Sequence, residues 1–400
     1  MTDTIPPGLA DRLVDADDVR RMEQWLRTHQ ENVVADLFEF VSIETPSDDK
    51  LLLDRGLSWI DRWVRTHLPT PQDRTVYDGD GYGDVLALTF EGSGEASVTL
   101  LSHYDTVWDV GTISGWPVAR DGDRASGPGI YDMKTGLIQS LWTVRGLAEL
   151  DIARPTVHML FTGDEEIGSP HSRTVIETYS KKSTAVIVFE ASEQSSVKTA
   201  RKGIGRFAVT VTGREAHAGA DFLSGISAIE ELARIVLRLT QLTDVGAGTT
   251  VNVGVIHGGS RSNVVAGYAR AEVDVRFTKN SEVARVAEAL DALEATEGAT
   301  VTVDGEWNRP AMERSPLTTG MYGLARAAAR ALGVDLGEIS VGGGSDGNFA
   351  AALGVPVLDG MGAVGAGPHA RSEHVLLDRI PERAAIAAGV ISAFADGERR

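Results

Sequence analysis

The chain has 400 residues, with 38 basic side chains against 57 acidic ones. The net charge of −19 argues against a nucleic-acid or anionic-membrane partner, while leaving room for a local basic pocket. Cysteine is absent, which excludes disulfides, thiol catalysis and thiolate-held zinc or iron–sulfur centres, so a metal would have to sit on His, Asp and Glu.

In chain order, residues 1–18 are acidic and lack the apolar core of a signal peptide, and the longest apolar runs, such as 185–189, are too short to cross a bilayer. A soluble cytoplasmic protein is the expectation. Met22, Trp25, Leu26, Val33, Val34, Leu37 and Phe38 recur at helical spacing, and a second helix over 51–68 is stopped by Pro69 and Pro71. The period then shortens. Residues 85–90, 97–102, 156–161 and 185–189 are apolar runs of strand length, with a helix over 135–150 between the second and third. Strands alternating with helices predict an α/β sheet covered on both faces. From Gly203 the pattern becomes strand 206–212, helix 225–239, strands 249–256 and 266–277, helix 281–297 and strand 300–305. That β-α-β-β-α-β order predicts a ferredoxin-like α+β unit, an open antiparallel sheet with two helices on one face. After Arg309 and Pro310 the α/β pattern returns, with helices 317–332 and 347–353, strand 355–358 and helix 381–395. The expected organisation is a discontinuous α/β domain, 1–202 and 310–400, interrupted by an inserted domain, 203–309.

Several strand ends carry side chains able to bind a cation, and ligands of open α/β sheets gather outside the carboxyl ends of strands. His103 and Asp105 follow the run 97–102 and, two apart, point the same way. A carboxylate there would hold the imidazole tautomer for a metal, although a plain His–Asp hydrogen bond fits the same spacing. Gly127, Pro128 and Gly129 make a tight turn that sets Asp132 at the start of a helix, as ligand or as N-cap. Asp164, Glu165 and Glu166 close the run 156–161, and successive carboxylates on a buried strand end repel one another unless a cation or solvent relieves them. Glu190 follows the last run, and His369 sits in a glycine-rich loop ahead of Glu373.

In this order the strings H-x-D-T-V, G-P-G-x-x-D-x-K, D-E-E-x-G and G-x-G-x-H-x-x-x-E resemble the zinc-dependent family of aminoacylases, acetylornithine deacetylases, succinyl-diaminopimelate desuccinylases and glutamate carboxypeptidases. The likeness is nearest to the carboxypeptidase-G-type branch and covers nearly the whole chain. It implies a mixed-sheet zinc-peptidase catalytic domain with an inserted lid and dimerisation domain. It further implies two zinc ions bridged by Asp132, one held by His103 and Glu190 and the other by Glu166 and His369. Three protein ligands for each ion leave a position for water, as at catalytic sites. Co2+ or Mn2+ would be accepted by the same donors. Glu165 would be the general base, Asp105 would orient His103, and the Asp132–Met133 peptide would be cis.

In the inserted domain the resemblance assigns His217 to the oxyanion, often in the partner subunit's site, and Asn263 to the same oxygen. It assigns Arg276, which faces opposite Val273 and Val275, to a substrate α-carboxylate. By spacing alone, His217 reads as a loop histidine and Arg276 equally as an exposed strand arginine. Gly343 and Ser345 would line the substrate pocket, in a loop without the G-K-[ST] of a phosphate cradle. Arg201, Lys202 and Gly203 mark a hinge or a solvated basic turn. The expected function is a di-zinc amidohydrolase or metallocarboxypeptidase acting on peptides or N-acyl amino acids, with glutamate the branch's precedent as leaving group. The alternatives are an acetylornithine-deacetylase-like deacylase and a non-catalytic peptide-binding homologue, against which the retention of Glu165 speaks. Ile226, Ile229, Ala233, Val236 and Leu237 give the lid an apolar face, and with a free sheet edge they predict a homodimer.

Overall fold

The computed structural model describes residues 7–296 and 298–395. The acidic stretch 1–18 begins, and the expected helix 281–297 ends, on residues outside that set. Among the described residues no helix is long and apolar enough to cross a membrane. The chain forms two compact units, one built from residues before Arg201 and after Glu313, the other from Arg201–Glu313 together with Gly342–Gly344.

The first unit is built on a six-stranded mixed sheet in the order Asp73–Tyr77, Gly83–Phe90, Thr156–Gly163, Ser97–His103, Ala185–Val188, Val357–Leu358. The last four are mutually parallel, with His103 paired to Thr162 and Leu101 to Val188. Their carboxyl ends therefore lie along one edge. Val98, Leu100, Met159, Phe161 and Ile187 enter the main core with Leu137 and Leu141 of helix Thr135–Glu149 and Ile386 of helix Arg379–Ser392. Gly136 permits this close packing, since a Cβ there would lie 1.8 Å from the Phe189 carbonyl oxygen.

The helical pattern over residues 22–38 is two helices, Ala16–Thr28 and Gln30–Val41. His29 leaves helical geometry because the Thr28 hydroxyl and the His29 amide and ring all compete for the Trp25 carbonyl. Helix Arg173–Lys182, strand Asp73–Tyr77 and the hairpin Ala119–Asp121/Arg124–Ser126 had no counterpart in the sequence reading. The two hairpin strands are three residues each and mostly exposed, so neither shows a period.

The second unit is a four-stranded antiparallel sheet in the order Thr300–Arg309, Gly203–Thr212, Tyr268–Phe277, Thr250–Gly258. Counted within the unit this is 4-1-3-2, the ferredoxin-like order. Val209, Val211, Ala271, Val273 and Val275 pack against Leu232 and Ile235 of helix Ala228–Thr240 and Val286 and Leu290 of helix Glu282–Asp291.

Candidate metal centre and active site

His103 ends its strand with a nearly inaccessible ring. Its Nδ1 lies 3.0 Å from the Asp105 carbonyl oxygen and 3.3 Å from Asp105 Oδ1, so Nδ1–H donates there and Nε2 faces the site. Nε2 is buried without a hydrogen-bond partner. It lies 3.4 Å from Asp132 Oδ1 and 3.4 Å from Glu190 Oε1. His369 repeats the arrangement: its Nε2 is 3.3 Å from Asp132 Oδ2 and 3.3 Å from Glu166 Oε2. Two triads thus share Asp132 through its two different oxygens. For tetrahedral zinc with ligand bonds of ~2.0–2.1 Å, the edge between two ligand atoms is about 3.3 Å. The donors fit a pair of zinc ions, and Glu165 adds a carboxylate oxygen within 4.8 Å of the His103 and Glu190 donor atoms.

Two buried carboxylates hold these loops in place. Asp105 accepts the Glu165 amide at 3.2 Å, the Glu166 amide at 3.1 Å and the Ser47 hydroxyl at 2.8 Å. One side chain therefore orients His103 and fixes the backbone that carries Glu165 and Glu166. Glu373 accepts the amides of Gly129, Tyr131 and Asp132 at 3.1, 2.8 and 3.0 Å, and the Trp108 indole at 3.0 Å. Gly129 has a positive φ, and a Cβ there would meet Thr106 Cγ2 at 2.4 Å. The Asp132–Met133 peptide is cis. Neither Ser47 nor the role of Glu373 was found by sequence reasoning. A Glu four residues beyond His369 was the one available signal.

Burial disfavours charge on His103, but Asp105, Asp132 and Glu190 raise its pKa well above the usual imidazole value. Contacts with Asp132 and Glu166 raise His369 to about 10. Burial would raise Asp132, yet the two histidines hold it below the usual carboxylate range. Burial and the neighbouring Asp132 charge push Glu166 up to about 7. The donors titrate together, and a divalent cation takes the place of their protons.

Of the remaining expected site residues, Ser345 belongs to the first unit and the others to the second. Ser345, in the first unit, is fully buried; its hydroxyl donates to Asp359 at 2.6 Å and accepts the Gly347 amide at 3.1 Å. Its side chain shapes the turn instead of facing a substrate. Gly343 is exposed in the second unit. The Arg201 guanidinium donates to the Gly343 and Gly344 carbonyls at 3.3 and 3.1 Å and is buried, so Arg201 is a packed residue and not part of a solvated basic turn. His217 Nδ1 accepts the Gly219 and Ala220 amides, both at 3.1 Å, which leaves Nε2–H as the donor. The Asn263 carbonyl accepts the Ala218 amide at 2.9 Å, so His217 and Asn263 share one end of the lid. Arg276 stands at the other end, paired in register with Ile204, while Tyr268 pairs with Thr212. Its guanidinium forks onto Asp274 of its own strand at 2.8 and 3.0 Å.

The mixed sheet, with His and carboxylate donors at its strand ends, defines a metal-dependent hydrolase. Residues 99–393 match the description "Peptidase family M20/M25/M40", and the chain belongs to that family. It is 30% identical over 377 residues to carboxypeptidase G2 of Pseudomonas sp. (strain RS-16), covering 92% of this chain and 91% of that protein. It is 29% identical over 214 residues to an acetylornithine deacetylase of Myxococcus xanthus, covering 50% and 55% respectively. The fold is shared with aminopeptidase PepT of Bacillus cereus at a TM-score of 0.74 and 20% identity, over 92% of this chain and 99% of that one.

Proposed function

We propose that this chain is a di-zinc carboxypeptidase that hydrolyses the amide between an acyl or aminoacyl group and a C-terminal amino acid, glutamate being the first candidate. The observation that carries this reading is the pair of ligand triads sharing Asp132, with Glu165 beside them. Bound zinc would supply Lewis-acid polarisation of the scissile carbonyl and acidify a water. Glu165 accepts a proton from the attacking water and delivers it to the leaving nitrogen. Asp105 keeps Glu165 in place through its backbone amide. His217 offers Nε2–H to the developing oxyanion, and Arg276 recognises the substrate carboxylate.

Arg276 and Tyr268 are eight residues apart on one strand, about 27 Å at the usual rise. One lid therefore holds its carboxylate reader and its oxyanion donor at opposite ends. This favours a homodimer in which His217 completes the partner's site, joined through the exposed Ile229 and Leu237 of the lid helix. The Myxococcus xanthus likeness supports a second reading, an N-acyl-amino-acid deacylase with the same chemistry.

The test is release of free amino acid from N-acyl amino acids and dipeptides by the zinc-loaded protein. Hydrolysis that vanishes in Glu165→Ala and requires a free C-terminal carboxylate is expected. Equal rates on C-terminal amides would overturn the carboxypeptidase reading.

A further inference from the structure

Outside the metal centre, a cavity of about 280 Å³ lies against the hairpin Ala119–Asp121/Arg124–Ser126, lined by Arg120, Asp121, Arg124, Ser126, Arg371 and Ser372. Arg120 is engaged with Glu31 at 3.0 Å and with the Gly122 carbonyl at 3.0 Å. Asp121 is directly across the hairpin from Arg124 but does not reach ion-pair distance of it. Among the described residues, neither Arg124 nor Arg371 has a carboxylate partner. In a chain of net charge −19, two guanidinium groups brought to one small cavity, whose single lining carboxylate, Asp121, makes an ion pair with neither, are set to receive an anion.

Arg371 is also held in place. Its guanidinium carbon sits 5.6 Å from the Trp108 ring and 5.4 Å from the Trp116 ring, and those rings meet edge to face at 5.0 Å. The Trp108 indole donates to Glu373, whose other oxygen accepts the Asp132 amide. Ser126 leads through the glycine turn to Asp132, and Arg371 follows His369 by two residues. The cavity therefore abuts the two loops that bring Asp132 and His369 to the metal centre.

We propose that Arg371 and Arg124, with the Ser126 and Ser372 hydroxyls, form an oxyanion subsite for a second substrate carboxylate, distinct from the one read by Arg276. The preferred substrate is then doubly acidic: either an acidic leaving residue or a dicarboxylic acyl group. This selectivity rests on the hydrolase reading above, whereas anion binding at the cavity does not.

Two measurements on the zinc-loaded protein separate these statements. Titration with sulfate, followed by tryptophan fluorescence and calorimetry, should show saturable binding that Arg124→Gln/Arg371→Gln abolishes and Arg371→Lys largely retains. Binding that is absent from the unsubstituted protein, or unchanged in the double variant, overturns the subsite. In kinetics, kcat/KM for N-acetyl-glutamate over N-acetyl-glutamine, and for N-succinyl-alanine over its succinamoyl counterpart, should identify which side carries the acid. One of these ratios should fall ~10–100-fold in the double variant. If sulfate binding is lost while both ratios stay unchanged, the second-carboxylate assignment is wrong. If no amide in the panel is cleaved, the hydrolase reading fails and the sulfate titration still decides the subsite.

Discussion

The loops that carry the candidate metal ligands and the lid residues proposed to contact substrate are organised in opposite ways. His103, Glu165, Glu166 and Asp132 are fixed from behind by the buried carboxylates Asp105 and Glu373, which take up backbone amides of the neighbouring loops. The lid residues have no such backing. His217 and Asn263 are exposed, and Arg276 is held by Asp274 from its own strand. The candidate metal loops are held by buried hydrogen bonds of the protein itself, the kind of preorganisation that electrostatic stabilisation of a transition state requires. In the proposed reaction a substrate carboxylate would have to compete with Asp274 for Arg276, and His217, the proposed oxyanion donor, lies toward the other end of the sheet.

If this contrast holds, disturbing the preorganised half has the larger effects. Glu165→Gln should lower kcat by ~10²–10⁴-fold with metal content unchanged, because general-base catalysis is lost while the ligand triads stay intact. Loss of a stoichiometric metal, read by elemental analysis, would instead make Glu165 a ligand. Asp105→Asn leaves two amides and an imidazole sharing a group that presents its own N–H bonds, so metal affinity should fall ~10–100-fold in a competition with a chromophoric chelator. An unchanged affinity would mean that Ser47 and the strand alone position His103. Acidification should act through the same donors. His369, raised to about 10, and Glu166, near 7, must lose protons before they bind a cation. Metal affinity should therefore rise with pH through neutrality, with roughly one proton released per ion and about a tenfold loss of affinity per pH unit of acidification. Calorimetry in buffers of differing ionisation enthalpy measures that release, and a pH-independent affinity would refute it.

The clustering of the strand-end His and carboxylate donors was legible in the sequence because each follows a short apolar run, and parallel register brings all such ends to one edge. His103 opposite Thr162 and Leu101 opposite Val188 turn that expectation into one site. The lid was legible for a similar reason: alternating valines on Gly203–Thr212 and Tyr268–Phe277 and two amphipathic helices imply the antiparallel sheet they form. The supporting residues were not legible. Glu373 acts on amides 241–244 positions away, and Ser47 reaches an Asp 58 positions on, separations at which no local period carries information. Ser345 misled for a different reason. A hydroxyl in a glycine-rich loop fits a pocket lining and a turn equally well, and only burial against Asp359 separates the two.

The smallest expected effect probes the lid. Arg276→Ala should raise KM about tenfold or more, because a bidentate charge-assisted contact with the substrate carboxylate is lost. Asp274→Asn should move KM the other way by only a few-fold, since it removes the carboxylate that competes for the same fork at 2.8 and 3.0 Å. The pair is partly solvated, with side-chain exposures of 28% and 39%, so its loss should change stability by no more than ~1 kcal/mol in urea unfolding. A KM that rises in Asp274→Asn as it does in Arg276→Ala would show that Asp274 aims the guanidinium instead of competing for it. The lid would then be preorganised like the metal loops, and the contrast between the two halves would fail at the residue where it is drawn most sharply.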